Sequence, residues 1–434
     1  MSKTKTRSPW AWIPSLYFAE GIPYVMVAIV ATIMYERLGL SNAEITFYTS
    51  WLYLPWVIKP FWSPIIDSLK SKRWWIVSMQ LLIGAGLAGV AFTLPTTSFI
   101  QSTLAFFWLL AFSSATHDIA ADGFYMYALD THKQAYFVGI RSTFYRLAMI
   151  TGQGALVYLA GRLEEVSLMG KIGNVSIAWA IVFAILACFF LLLALYHKYS
   201  LPIPKEDDER NVESFSEIFV GFGEVLKSFF YKKEIWKILG LILLYRLGES
   251  QLVKMASLFL LDGKETGGLG LSTSEIGIVY GTIGVVFLTI GGILGGYLAS
   301  RNGLKYWLWP MVIAINLPNL VYVYLSYALP ESFFLICASV AVEQFGYGFG
   351  FTAYMLYQIY VSEGKHKTAH FAFCTGLMAL GMMLPGMISG WIQEMIGYQH
   401  FFIWVMICTI PSFIMIKLID VDPKFGIKTE TDEK

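Results

Sequence analysis

Twelve apolar stretches follow one another along the 434-residue chain, at roughly 10–36, 42–66, 74–94, 99–129, 136–161, 175–197, 235–261, 272–299, 305–328, 332–360, 368–396 and 399–419. Each is long enough to cross about 30 Å of hydrocarbon as a helix rising about 1.5 Å per residue. A chain patterned this way is an all-α polytopic membrane protein with 12 transmembrane helices. Composition agrees: 14% of residues are charged, against about 25% in ordinary soluble domains. That balance excludes a disordered chain and a nucleic-acid-binding protein, and no heptad or Gly-X-Y repeat is visible. The net charge of +1 implies no broadly basic or acidic partner. The first stretch follows Lys3, Lys5 and Arg7 as a signal peptide would, but it is too long and lacks a small-residue cleavage site, so it reads as a retained span. Cys188, Cys337, Cys374 and Cys408 all fall in apolar segments and read as core residues, with neither disulfides nor metal ligation implied.

The loops set an orientation. Basic residues gather in the N-terminal tail and the even-to-odd loops, for example Lys70, Lys72, Arg73, Lys133, Lys232, Lys233, Arg301, Lys305, Lys365 and Lys367, whereas the opposite loops hold Arg37, Arg162, Lys171 and Lys264. This asymmetry predicts both termini in the cytoplasm. The longest loop carries the charged run Lys205 to Arg210, then Phe215, Ile218, Phe219, Phe222, Val225, Leu226 and Phe229 at helical spacing. It predicts an amphipathic helix along the membrane surface. The expected organisation is a six-helix bundle over 1–200, a linker over 201–234, a second six-helix bundle over 235–420 and a cytoplasmic tail over 421–434.

The second half echoes the first. Leu40-Ser41-Asn42-Ala43-Glu44-Ile45 reappears 231 residues later as Leu271-Ser272-Thr273-Ser274-Glu275-Ile276. Ser41 and Ser272 stand three residues before Glu44 and Glu275, the spacing of a capping box at a helix start. Glu20 in span 1 has an echo in Glu249 of span 7, and Asp118 in span 4 in Glu343 of span 10. A duplication of six spans, with a site near the bilayer midplane, is the plan of many secondary transporters.

Charges deep in the spans are costly, at least about 2.5 kcal/mol each when unpaired. They are Glu20, Lys59, Asp118, Asp122, Arg146, Arg246, Glu249, Lys254 and Glu343. Either they only tie helices together, or they carry function. Asp118 and Asp122 share a helix face with Tyr125. Two carboxylates this close in low dielectric repel, so one is expected to hold a proton unless a cation neutralises it. That makes Asp118, Asp122 and Glu20 the candidates for proton coupling. His117 lies about 100° round the helix from Asp118 and reads as a core hydrogen-bonding group or a proton carrier. Tyr17, Glu20 and Tyr24 form one face of span 1. Arg246, Ser250 and Lys254 form a polar stripe on span 7, beside Glu249, which either holds an anionic substrate or pairs with Glu249 and Glu20. Lys59 sits between Pro55 and Pro60, where backbone carbonyls are freed. Arg146 cannot lose its proton and is expected to reach Asp118 or Glu20.

The loop between spans 2 and 3 holds Asp67, Lys70, Lys72 and Arg73, whereas the loop between spans 8 and 9 has Ser300 where the acid would stand. The first copy resembles the latch signature of the major facilitator superfamily, which marks Asp67, Lys72 and Arg73 as a candidate cytoplasmic gate. Further motifs narrow the resemblance: Glu20-Gly21-Ile22-Pro23-Tyr24, Lys59-Pro60-Phe61-Trp62-Ser63-Pro64 before Asp67, Ala115-Thr116-His117-Asp118-Ile119 with Asp122, Tyr145-Arg146-Leu147-Ala148-Met149, Glu343-Gln344-Phe345, Phe371-Ala372 and Gly390-Trp391. Together they resemble the AmpG-type muropeptide permeases and the related acetyl-CoA transporters within that superfamily, over essentially the whole chain. His117 and His370 stand where that family has Gln.

The resemblance implies a major facilitator fold of two pseudo-symmetric bundles in a bacterial inner membrane. It also implies import of cell-wall-derived sugar-peptides by proton symport, with no cofactor beyond the proton gradient and no partners beyond the substrate and the bilayer. A carrier of acetyl-CoA or another anionic solute is the alternative, which would want a larger cationic cluster than Arg146, Arg246 and Lys254. A membrane-embedded acyltransferase using His117 is the third reading. The internal repeat has no obvious use in such an enzyme, so the chain is not expected to be one.

Overall fold

The computed structural model describes residues 7–129, 131–166, 174–203, 215–364 and 366–426. The charged run Lys205 to Arg210, the start of the predicted surface helix, Lys365, the end of the C-terminal tail and the side chain of Asp67 lie outside the described residues. Among the described residues every regular element is helical.

Among the described residues, eight helical stretches are long and apolar enough to cross a membrane: Pro9–Arg37, Lys72–Thr93, Phe99–Ala128, Val175–Ser200, Thr273–Asn302, Leu304–Ala328, Phe333–Ser362 and Lys367–Leu418. The last contains two spans, because Gly397 takes a left-handed φ of 74° and kinks the chain. Glycine adopts that conformation without the Cβ clash of other residues. The remaining three expected spans are broken helices. Span 2 is Asn42–Trp51 followed by Leu54–Leu69. Span 5 is Thr131–Met149, continued through a π-helical segment into Val157–Glu165. Span 7 is Ile235–Leu244 and Leu247–Leu261, interrupted at Tyr245 and Arg246. Breaks of this kind put freed backbone and polar side chains at membrane depth, where they persist only if they are buried in protein or line a cavity.

Both capping boxes form. Ser41 accepts from the Glu44 amide and Glu44 reaches back to the Ser41 amide; Ser272 and Glu275 repeat the arrangement at the start of span 8. The outward faces are apolar: Leu192, Ile293 and Phe334 are well exposed, as lipid-facing residues should be. Trp236 and Tyr306 stand exposed near span ends, where amphipathic rings favour the membrane–water boundary. Cys188 is exposed on span 6, unlike the other three cysteines, so it faces outward and is not a core residue.

The chain divides into two compact units, Met1–Leu38 with Ile58–Gly221, and Gly39–Val57 with Phe222–Lys434. The boundary differs from a simple halving: the first helix of span 2 packs within the second unit. There Gly390 lies so close to it that a Cβ would meet the Asn42 carbonyl oxygen at 2.1 Å. Asn42 Nδ2 donates to Asp262 (3.1 Å), Gln393 (2.9 Å) and Tyr398 (3.0 Å). The division falls between Val57 and Ile58, inside the second helix of span 2. In the second unit the helix Phe215–Phe230 lays Phe222, Val225, Leu226 and Phe229 against the core, as its amphipathic pattern predicts. Lys305 pairs with Asp420 at 2.8 Å beyond the end of span 12. The hydrogen bond and the nearby ammonium hold that carboxyl below its ordinary range.

Candidate functional site: two buried acid clusters

In the first unit, spans 1, 2, 4 and 5 bring five charged side chains together. Gly21 allows the close approach of spans 1 and 5: a Cβ there would meet Ala148 Cβ at 2.8 Å and the Tyr145 carbonyl at 3.0 Å. Its neighbour Glu20 is therefore buried, within hydrogen-bonding range of the Asp118 carboxyl. Lys59, carried on the second helix of span 2, forms an ion pair with Asp118. One turn along span 4, Asp122 Oδ1 accepts from Arg141 Nη2 at 2.6 Å. The Arg141 guanidinium also lies over the rings of Tyr17 (4.4 Å) and Tyr125 (5.1 Å). A planar cation so placed donates in its plane to a carboxylate while its face rests on aromatic rings. A cavity of about 150 Å³ opens beside these groups, lined by Tyr17, Glu20, Arg141, Ser142, Tyr145 and Arg146.

The pairing differs from the expected one. Lys59, not Arg146, holds Asp118, and Arg141 holds Asp122. Arg146 is five residues further along span 5 and sits on the cavity wall that Glu20 also lines. Arg141 was the residue missed: it lies near the start of span 5, where a basic residue reads as a span boundary. Its signal in the sequence is that it falls inside the apolar run. Tyr24, one turn beyond Glu20, is half-buried.

His117 turns away from the cluster. Its Nε2 faces Gln80 Nε2 at 3.0 Å, Gln80 Oε1 faces His197 Nδ1 at 2.9 Å, and His197 Nε2 meets Ser15 Oγ at 2.9 Å. The Gln80 amide lies between the two imidazoles, so its orientation and their tautomers are set together. This buried chain joins spans 1, 3, 4 and 6 behind the charged face. Of the gate residues, Lys72 is buried, with its stem against Gly123 of span 4. Arg73 donates to the Lys198 carbonyl near the end of span 6, where a cation complements the helix dipole.

The second unit holds its own cluster. Glu249 and Glu343 are each 1% exposed and lie close enough for their charges to repel. Glu343 accepts from Gln344 Nε2 at 3.0 Å and from Tyr322 OH at 3.5 Å, and Gln344 also donates to Tyr280 OH at 3.2 Å. Neither Glu249 oxygen makes a hydrogen bond of normal geometry, although the Asn319 amide and Arg246 lie nearby. Arg246 stands at the break in span 7. It donates to Tyr347 OH and lies over the Tyr347 and Phe351 rings at 5.1 and 5.0 Å. Lys254 joins a different neighbourhood: it donates to Thr49 Oγ1 at 3.0 Å and lies over the Tyr53 ring at 5.0 Å. Sequence reasoning singled out Glu249, Glu343 and Arg246 but missed Asn319, Tyr280 and Tyr322.

Duplicated bundles of broken and continuous membrane helices, each with an ionisable cluster buried in it, define a secondary transporter. The Major Facilitator Superfamily model matches residues 15–363, and the chain belongs to that superfamily. Among curated proteins it is similar to the anhydromuropeptide permease of Escherichia coli (strain K12), 25% identical over 409 residues, covering 92% of this chain and 77% of that one. It is also similar to the putative transporter AmpG 4 of Rickettsia conorii, 26% identical over 420 residues, covering 93% and 95%. Among solved structures it shares its fold with the nucleoside transporter NupG (TM-score 0.64, 16% identity, 94% of this chain and 98% of that one). The D-xylose-proton symporter matches likewise (TM-score 0.68, 11% identity, 94% and 96%). The resemblance to AmpG-type permeases read from the motifs thus extends along the chain.

Proposed function

We propose that the protein is a proton-coupled symporter that imports a cell-wall-derived muropeptide, or a related sugar-peptide, across a bacterial inner membrane by alternating access. The observation that carries the coupling is the first unit's charge balance: Glu20, Asp118 and Asp122 are met by two paired cations, Lys59 and Arg141. Three carboxylates around two cations leave one negative charge in a low-dielectric interior, and a proton is the smallest group that neutralises it. Glu20 and Asp118 lie close enough to share it. Arg146 and Arg141 on the cavity wall suit a cargo that carries carboxylates, and Tyr17 and Tyr145 suit the apolar faces of a sugar. Binding of cargo carboxylates near Arg141 competes with Asp122 for its cation, which links cargo to proton.

The substrate class rests on similarity to the anhydromuropeptide permease. The placement of both termini in the cytoplasm rests on the basic even-to-odd loops. The test is uptake of labelled anhydromuropeptide into proteoliposomes holding the purified chain, with and without an inward proton gradient. Acetyl-CoA serves as the competing cargo. Gradient-driven accumulation of the muropeptide that acetyl-CoA does not inhibit supports the reading; accumulation of acetyl-CoA instead replaces the cargo.

A further inference from the structure

We infer that the start of span 7 and the surface helix before it form a binding surface for the headgroup of an anionic phospholipid, held by Lys227 and Lys233. The inference concerns the second unit alone and depends on neither the cargo nor the coupling cluster.

The stretch from Phe222 to Gly240 carries four lysines, Lys227, Lys232, Lys233 and Lys237, against two acids, Glu224 and Glu234. Two of the lysines are taken up by the protein. Lys232 Nζ donates to the carbonyl oxygens of Val361 (2.6 Å) and Glu363 (3.2 Å), which ties the loop to the end of span 10. Lys237 pairs with Glu234 at 2.7 Å, so that acid is already neutralised. The other two, Lys227 and Lys233, are exposed, and among the described residues neither has a hydrogen bond or an ion pair. Lys227 lies over the Tyr231 ring at 5.7 Å, and Glu224, three residues before it, forms no ion pair with it. The basic residues that open spans 3 and 9 are placed differently. Lys72 is buried, Arg73 donates to the Lys198 carbonyl and Lys305 pairs with Asp420. Uncompensated charge at Lys227 and Lys233 therefore fits an anion from outside the chain.

The neighbouring rings say which anion. Phe222, Val225, Leu226 and Phe229 turn toward the core, which leaves Phe230, Tyr231 (80% exposed) and Trp236 (79%) on the outside. Exposed rings at a span end settle at the level of lipid headgroups. Lys233 stands between Tyr231 and Trp236 in the chain, so its ammonium is held at the depth of the phosphates, within reach of a flexible lysine stem. The first turn of Ile235–Leu244 has no side-chain cap, and the helix dipole adds positive charge there. Lysines clustered on an amphipathic helix beside a span attract anionic lipid. A free phosphate ion would meet the lysines but leave the rings bare, whereas acyl chains cover them. The same segment is fastened to span 11 by the contact of Ser228 Oγ with His370 Nε2 at 2.8 Å, so a seated lipid braces the second unit.

The experiment titrates the purified full chain with phosphatidylglycerol or phosphatidylcholine and reads bound lipid by native mass spectrometry. The comparison is wild type, Lys227→Gln, Lys233→Gln, both together, both as Arg, and Lys264→Gln in the loop at the other end of span 7. Wild type is expected to prefer phosphatidylglycerol. Each Gln variant weakens that lipid about fivefold and the double variant about twenty-five-fold, with phosphatidylcholine binding unchanged. The double Arg variant and Lys264→Gln keep the wild-type preference, and inorganic phosphate does not displace the lipid. Unfolding midpoints in phosphatidylcholine nanodiscs, expected to match wild type, show that the Gln variants are folded. Equal binding of the two lipids by wild type, an unchanged preference in the double Gln variant, an equal loss in Lys264→Gln, or displacement by inorganic phosphate overturns the proposal.

Discussion

The two acid clusters repeat one pattern of acids and differ in how they are neutralised. In the first unit Lys59 meets Asp118 and Arg141 meets Asp122, so most of the charge is balanced by side chains built into neighbouring spans. In the second unit Glu249 and Glu343 have Arg246 nearby together with neutral groups: Asn319, Tyr322 and Gln344. A carboxylate with a fixed ammonium can exchange that partner for a proton or a cargo group as the protein moves. In the second unit the built-in cation is a guanidinium shared with Tyr347, so its hold on the acids is spread over more partners.

The comparison can be broken by removing cations one at a time. The largest effect is expected at Lys59. Lys59→Met leaves Asp118 beside Glu20 with no ammonium, and loss of one partner of a largely buried pair costs about 3 kcal/mol. Concentrative uptake should fall at least about tenfold, and the unfolding midpoint should drop. Adding Asp118→Asn to Lys59→Met should recover the midpoint but not the uptake. Equal midpoints for the single and double variants would mean the pair is not coupled.

Arg141→Lys comes next. It keeps the charge but loses the guanidinium donor on Asp122 and the stacking on Tyr17 and Tyr125, at about 1–2 kcal/mol. Its signature is a shifted pH profile of uptake, with the protein still folded. An unchanged profile would place Asp122 outside the coupling step.

Arg246→Ala sharpens the second-unit side of the comparison. It is expected to destabilise by about 2 kcal/mol while Glu249 is an acid. That cost should largely vanish in the Glu249→Gln background, read as a double-mutant cycle in unfolding midpoints. The smallest effect is expected at Gln80→Leu. This substitution cuts the chain between His117 and His197, lowering stability by about 1–2 kcal/mol and leaving the pH profile of uptake unmoved. A moved profile would make His117 part of the proton path after all.

Much of the architecture is legible in the chain because hydrocarbon allows few solutions. Twelve apolar runs, paired capping boxes and alternating basic loops are each local patterns. The break at Gly397 hides one boundary inside a continuous helix, and the breaks in spans 2, 5 and 7 shorten others, yet the apolar runs still mark them. Membership of span 2's first helix in the second unit was not legible, since close packing of Gly390 on Asn42 depends on residues nearly 350 positions apart.

The sites were legible in their acids and less so in their partners. An acid inside an apolar run is conspicuous, so Glu20, Asp118, Asp122, Glu249 and Glu343 stand out. Which cation each meets depends on helix rotation and register, which periodicity does not fix between elements. Hence the sequence points Arg146 toward Asp118 or Glu20, whereas Lys59 holds Asp118, and nothing in the pattern singles out Arg141. Asn319 gave still less warning, because one amide in an apolar span is commonplace until it is found buried beside an acid.

The central claim is that titration within the Glu20, Asp118 and Asp122 cluster drives accumulation of the cargo. Its most direct measurement compares wild type, Asp118→Asn and Asp122→Asn in proteoliposomes, recording both uptake of labelled muropeptide under an imposed proton gradient and counterflow exchange without one. The account predicts that at least one Asn variant loses concentrative uptake while retaining counterflow. If both variants accumulate cargo against its gradient with the wild-type pH profile, coupling does not reside in this cluster.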